Sequence, residues 1–171
     1  MNPAVAQQLI AMNREFYEEF GGSFASTRKR IQPGVHKILQ TVISDGIWLD
    51  MGCGSGNFAS AWQEELFEGN YIGVDFSAEL LKEAMSAVAV DGMLPKNIRF
   101  MQADLTKNDW VQVFRDQPFD GVVSFATLHH IPGEELQKQF LLQANAMLKL
   151  GKPLVLSVWQ FQNSEKLMKR I

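Results

Sequence analysis

Apolar positions along this chain alternate between helical and extended spacing. Between Asn2 and Phe20, the residues Val5, Leu9, Met12, Phe16 and Phe20 recur at helical intervals. Pro3 suits a first helical turn and Asn2 its cap, so the pattern predicts a helix with that stripe inward, ended by Gly21-Gly22. Pro33 opens a second helix with Val35, Ile38, Leu39, Val42 and Ile43 inward, and Asp45-Gly46 turns the chain into a short apolar run, Ile47 to Leu49. From there strands and helices take turns. Helical patterns cover Asn57 to Phe67, then Ser77 (a cap) to about Val90, a brief piece from Asp109 to Arg115, and Glu134 to Leu148. Extended patterns cover Tyr71 to Asp75, Ile98 to Gln102, Asp120 to Phe125 and Leu154 to Trp159. Such alternation predicts right-handed βαβ crossovers and an α/β fold, a doubly wound parallel sheet with helices on both faces.

Composition narrows the class. The chain has 171 residues, 46% hydrophobic and 20% charged, which suits one soluble domain with a real core. No apolar run approaches the roughly 18 residues that span a bilayer. The early acids Glu15, Glu18 and Glu19 do not fit a secretory signal. A single cysteine, Cys53, excludes an internal disulfide and a multi-cysteine zinc site, so the cytoplasm is the expected compartment. The net charge of −3 gives no global pull toward nucleic acid. The one locally basic stretch runs from Phe20 through Ser44 and contains Arg28-Lys29-Arg30.

The candidate chemistry centres on Trp48 to Asn57, which reads Trp-Leu-Asp-Met-Gly-Cys-Gly-Ser-Gly-Asn. A strand leads through Asp50 into Gly52, Gly54 and Gly56 and then a helix, a geometry that lets backbone approach a nucleotide-like ligand closely. A dinucleotide fingerprint fails because its third glycine slot holds Asn57, and no Gly-Lys-Ser/Thr closes a P-loop. An acid before a Gly-x-Gly-x-Gly turn resembles the first motif of class I S-adenosylmethionine-dependent methyltransferases. Asp75 ends the second strand, where ligands of a doubly wound sheet bind, and an acid there can accept both hydroxyls of a ribose; the bland alternative is a turn cap.

Four segments carry the family resemblance in order: Asp50 to Gly56, Tyr71 to Asp75, Ala103 to Leu105, and Phe119 to Ile131. The resemblance implies a Rossmann-like class I core of strand order 3-2-1-4-5, residues 46–171, with an N-terminal helical lid, residues 1–45. It implies S-adenosylmethionine as cofactor, with Gly52, Cys53, Gly54 and Gly56 forming the turn around it. Asp50 would anchor that turn or the methionine amine. Asp104 would accept from the adenine amino group while the Leu105 N–H meets a ring nitrogen, with a turn cap as the alternative for Asp104. Phe76 packs on adenine or in the core, Phe125 reaches the site at the end of the fourth strand, and Cys53 fills the turn. The family adds a helix and two further strands after the fifth, one of them antiparallel. Here only a helix start at Asn163-Ser164-Glu165 follows, so a fragment lacking the C-terminal strands is expected.

The loop Phe125-Ala126-Thr127-Leu128-His129-His130 offers paired histidines as a metal site, a general base or a pocket wall. Neighbouring side chains diverge and no acid-rich partner motif accompanies them, which disfavours metal. Phe24-Ala-Ser-Thr-Arg28, the paired histidines and Leu156-Ser-Val-Trp159 together resemble the eukaryotic tRNA wobble-uridine carboxymethyl methyltransferases. In that reading Tyr17, Arg28 and His129 are positioning groups at the reacting end. Arg28 would fork onto the carboxylate of the cofactor or of the substrate, or remain a solvated charge. The acceptor is then a tRNA or a small molecule, with a partner subunit open. A small-molecule methyltransferase and a non-catalytic cofactor-binding module share the same cofactor residues.

Overall fold

The computed structural model describes residues 1–27 and 31–159, which leaves Arg28 and the expected helix start at Asn163 outside the described residues. Ten regular elements follow in chain order. They are α1 (Pro3–Thr27), α2 (Pro33–Thr41), β1 (Ile47–Met51), α3 (Asn57–Glu64), β2 (Asn70–Asp75), α4 (Ala78–Val88), β3 (Ile98–Gln102), β4 (Gly121–Phe125), α5 (Glu134–Met147) and β5 (Leu154–Ser157). Short 3-10 turns at Trp110–Phe114 and Leu128–His130 complete the path; the first replaces the brief helix expected from Asp109.

The strands form one sheet in the order β3-β2-β1-β4-β5, and every pairing is parallel. Strand order reverses at β1, so β2 and β4 leave in opposite directions and a crevice opens at the carboxyl ends between them. The centre of the sheet is buried on both faces, which explains the continuous apolar run of Val122-Val123 where a half-exposed strand would alternate. One face packs Leu49, Ile72, Val122, Phe119 and Phe140, with α5 beyond. The other packs Trp48, Tyr71, Phe58 and Trp62, with α2 and α3 beyond. Gly121 is required by the second cluster, since a Cβ there would sit 2.1 Å from the Trp48 ring.

Helix α1 departs from the expectation twice. It runs through Gly21-Gly22 to Thr27, because Gly21 lies against α4, where a Cβ would meet Leu80 Cδ2 at 3.5 Å. Glycine costs a helix interior about 1 kcal/mol, which close packing of two helices offsets. The stripe Val5, Leu9, Met12, Phe16 and Phe20 is exposed, and the inward face is Ala6, Ile10, Asn13, Arg14, Tyr17 and Gly21. That face is mixed in polarity because it covers a polar crevice and not the core. Among the described residues no helix is long and apolar enough to cross a membrane.

Candidate functional site

The crevice at the strand ends holds a cavity of about 300 Å³. Its floor is the turn from β1 into α3. Gly52 N–H and Cys53 N–H both donate to Val74 O, at 2.7 and 3.1 Å, which pins the turn to β2. Gly56, at φ +77°, starts α3 and lies so close to α4 that a Cβ would be 2.7 Å from Ala84 Cβ. Gly56 therefore shapes the turn from behind and does not line the cavity. Gly54 differs: at φ +53° its hydrogen faces open space, with no atom within 4 Å of a built Cβ. This is the place where a ligand can lie directly on backbone.

Three carboxylates line the cavity. Asp75, at the end of β2, accepts from Gly54 N–H through Oδ2 and from Ser77 N–H through Oδ1, both at 2.9 Å. Burial raises its pKa against the lowering effect of those backbone donors. Asp50 is buried in β1, and Tyr71 Oη donates to its Oδ2 at 2.7 Å. Its Oδ1 has no partner among the described residues. Burial pushes this carboxyl up to about 7, the Tyr71 hydrogen bond lowers it, and nearby Asp75 raises it further. Burial likewise pushes the Cys53 thiol up, with nearby Asp75 and Asp50 adding to the rise. Asp104, after β3, accepts from the Thr106 backbone and hydroxyl through Oδ1 and from Arg14 Nη2 of α1 through Oδ2, at 2.8 Å.

Arg14 belongs to a set of α1 residues that roof the cavity. Asn13 Nδ2 donates to His130 O at 2.8 Å, Tyr17 Oη lies 3.2 Å from His130 Nε2, and the Tyr17 ring packs edge-on to Phe76 at 5.8 Å. The opposite wall is Phe125 and the loop after β4. There Ala126 adopts φ +55°, an uncommon conformation for a residue with a side chain, and turns the loop over the site.

Most of the expected site residues meet here. Tyr17, Asp50, Gly52, Cys53, Gly54, Asp75, Phe76, Asp104, Leu105 and Phe125 all line the cavity. His129 does not. In the 3-10 turn it stacks on Trp159, with ring centroids 5.1 Å apart, and His130 takes the cavity position. Burial lowers the pKa of His129. Asn13 and Arg14 went unrecognised in the sequence, although their helical spacing from Ile10 and Tyr17 places all four on one face. Tyr71, expected only as the start of a strand, is the other addition.

The donor set suits a cofactor with a sugar, an amine and an aromatic base. Asp50 Oδ1 is a buried acceptor awaiting a donor, Gly54 leaves room against backbone, and Phe76 offers an aromatic face. Among the described residues no three His, Cys, Asp or Glu side chains are arranged to hold a metal ion.

Comparison with known proteins bears on the fold and the family. A family described as "Methyltransferase domain" matches residues 49–151, more than half of the chain. The tRNA (carboxymethyluridine(34)-5-O)-methyltransferase of Arabidopsis thaliana is 26% identical over 149 residues, 87% of this chain and 33% of that protein. The chain spans about a third of the length of such curated relatives. Among solved structures, a Haloferax volcanii methyltransferase in complex with the Trm112 methyltransferase activator superposes with a TM-score of 0.71 at 18% identity, covering 92% of this chain and 66% of that one. Phosphoethanolamine N-methyltransferase 1 of Haemonchus contortus, solved with phosphoethanolamine and S-adenosylhomocysteine, gives 0.69 at 15% identity, over 92% of this chain and 33% of that one. At these identities the solved structures speak for the fold alone. The glycine turn, strand β2 and the loop carrying the paired histidines all fall inside the matched segment, and the chain belongs to the methyltransferase domain family.

Proposed function

We propose that this chain binds S-adenosylmethionine in the cavity and transfers its methyl group to an oxygen, the carboxylate of a modified tRNA uridine being the acceptor that its curated relatives point to. The observation that carries the cofactor reading is the placement of Asp75. Two backbone N–H groups lock its carboxylate at the end of β2, facing the cavity beside Gly54, which leaves its remaining lone pairs for the two hydroxyls of a ribose. Asp104 and the Leu105 N–H then face the adenine edge, with Phe76 against its ring. Asp50 faces the methionine amine. Gly52, Cys53 and Phe125 wall the methionine arm.

The cofactor supplies an activated sulfonium methyl. The chain's own residues hold the acceptor in line and keep water out, which is where most of the rate advantage of such a transfer lies. Tyr17 and His130 meet across the cavity and would orient the acceptor. His130 takes the role that the family resemblance gave to His129, and Arg28 remains a candidate for the carboxylate. A carboxylate acceptor is ionised at neutral pH and needs no general base. An activator subunit like that of the Haloferax protein is a proposed partner.

The test uses methyl-labelled S-adenosylmethionine with the protein, with and without an activator subunit, and a cell extract separated into tRNA, protein and small molecules. Label in tRNA that mild base releases as methanol supports the ester reading. Base-stable label on a small molecule replaces it with a small-molecule methyltransferase.

A further inference from the structure

Tyr71 is a fully buried β2 residue that no part of the cofactor reading requires. Its ring is wedged between Phe58, Trp62 and Phe100, at centroid distances of 6.2, 5.9 and 6.0 Å. The phenol therefore has one place to point, the Asp50 Oδ2 at 2.7 Å. The next β2 residue on that face is Gly73, where a Cβ would press on Cys53 Sγ at 2.9 Å, so β2 makes room for the turn at this point. Asp50 itself lines the cavity. Its second carboxylate oxygen is buried without a partner among the described residues, a desolvation cost that a ligand donor would relieve.

We propose that Tyr71 is a positioning residue for the cofactor's amino-acid end: its phenol holds Asp50 so that Oδ1 faces the α-ammonium of S-adenosylmethionine. The proposal rests on the cavity holding that cofactor.

A consequence in pH follows. The titratable groups that face Asp50 are Tyr71 and Asp75 of β2 and Cys53 of the turn. Strand β4 is Gly-Val-Val-Ser-Phe and has none, the loop after it brings His130, α3 brings Asn57 and Phe58 to the cavity, and the roof brings Arg14 and Tyr17, with Asp104 beyond. An ammonium binds the ionised carboxylate, and Asp50 ionises at about 7 in the free protein. Affinity should therefore fall as pH drops below that value, approaching tenfold per unit. The Tyr71 hydrogen bond lowers the Asp50 pKa, so its removal moves the same transition to higher pH.

The experiment measures calorimetric affinity between pH 5.5 and 8 for two ligands, S-adenosylhomocysteine and 5′-methylthioadenosine, which lacks the amino-acid end. It compares wild type, Tyr71→Phe and Asp50→Asn. In wild type, S-adenosylhomocysteine binding should weaken toward acid pH while methylthioadenosine stays level. Tyr71→Phe should weaken S-adenosylhomocysteine about fivefold or more at pH 7, shift its profile to higher pH and leave methylthioadenosine unchanged. Asp50→Asn should flatten the profile. Equal S-adenosylhomocysteine profiles in wild type and Tyr71→Phe would overturn the role of Tyr71 and leave the cofactor reading standing. Loss of both ligands in Tyr71→Phe would make it a residue of the fold only and also overturn the proposal. Failure of wild type to bind either ligand would remove the cofactor reading itself.

Discussion

Arg14 Nη2 lies 2.8 Å from Asp104 Oδ2, a contact between residues ninety positions apart that ties helix α1 to the end of β3. With Asn13 on His130 O, it fastens the roof of the cavity at two sides of the crevice. The guanidinium is half-exposed, so the pair is worth no more than about 0.2–1 kcal/mol to the fold. Its effect should be local. Arg14→Leu is expected to leave the melting temperature within about 4 °C of wild type. Limited proteolysis within residues 1–27 should become several-fold faster. Unchanged cleavage there would mean that the ion pair does not hold the roof.

Gly54 and Gly56 make a paired prediction. Both have positive φ, but Gly54 faces open space and Gly56 faces Ala84. Gly54→Val should keep the far-ultraviolet circular dichroism of the wild type and lose cofactor binding. Gly56→Val should lower the melting temperature markedly, since its side chain must displace α4. Micromolar cofactor affinity retained in Gly54→Val would remove the turn from the site.

The Asp50 carboxyl trades stability for a site. Its pKa rises from an ordinary 3.8 to about 7 on folding, so the folded chain binds this proton more tightly than the unfolded one. Between those two values stability from this group falls as pH rises, and above about 7 the loss is complete. Asp50→Asn should thus stabilise the ligand-free protein at pH 8, by up to about 4 kcal/mol, and by less at pH 5. Thermal melts at the two pH values check this. A variant that is less stable than wild type at pH 8 would contradict it.

Loop histidines should separate by role. His130 lines the cavity beside Tyr17, whereas His129 stacks on Trp159. His130→Ala is expected to lower kcat about tenfold or more with little change in cofactor affinity. His129→Ala should change kcat by less than about threefold. The reverse order of effects would return the acceptor side to His129.

Much of the sheet and floor was legible before the structure. Asp50, the glycines, Asp75 and Asp104 sit where strand ends and turns must fall, and strand-helix alternation dictates parallel crossovers. The roof was not. Five apolar residues on α1 read as an inward stripe because a helix face is usually chosen by hydrophobicity; here α1 packs on polar groups, and Asn13, Arg14 and Tyr17 face inward. His129 and His130 could not be separated because the direction of adjacent side chains depends on the 3-10 turn that carries them. The Tyr71–Asp50 pair depends on strand register, with Tyr71 opposite Trp48 and Asp50 opposite Gly73, and spacing along one chain does not contain it.

The central claim is that Asp75 holds the ribose of S-adenosylmethionine, and a calorimetric titration of S-adenosylhomocysteine into wild type and Asp75→Asn tests it most directly. The account predicts one site on the wild type and at least about a tenfold loss of affinity in the variant, a difference of about 1.4 kcal/mol. Equal affinity in a variant with an unchanged dichroism spectrum would contradict it.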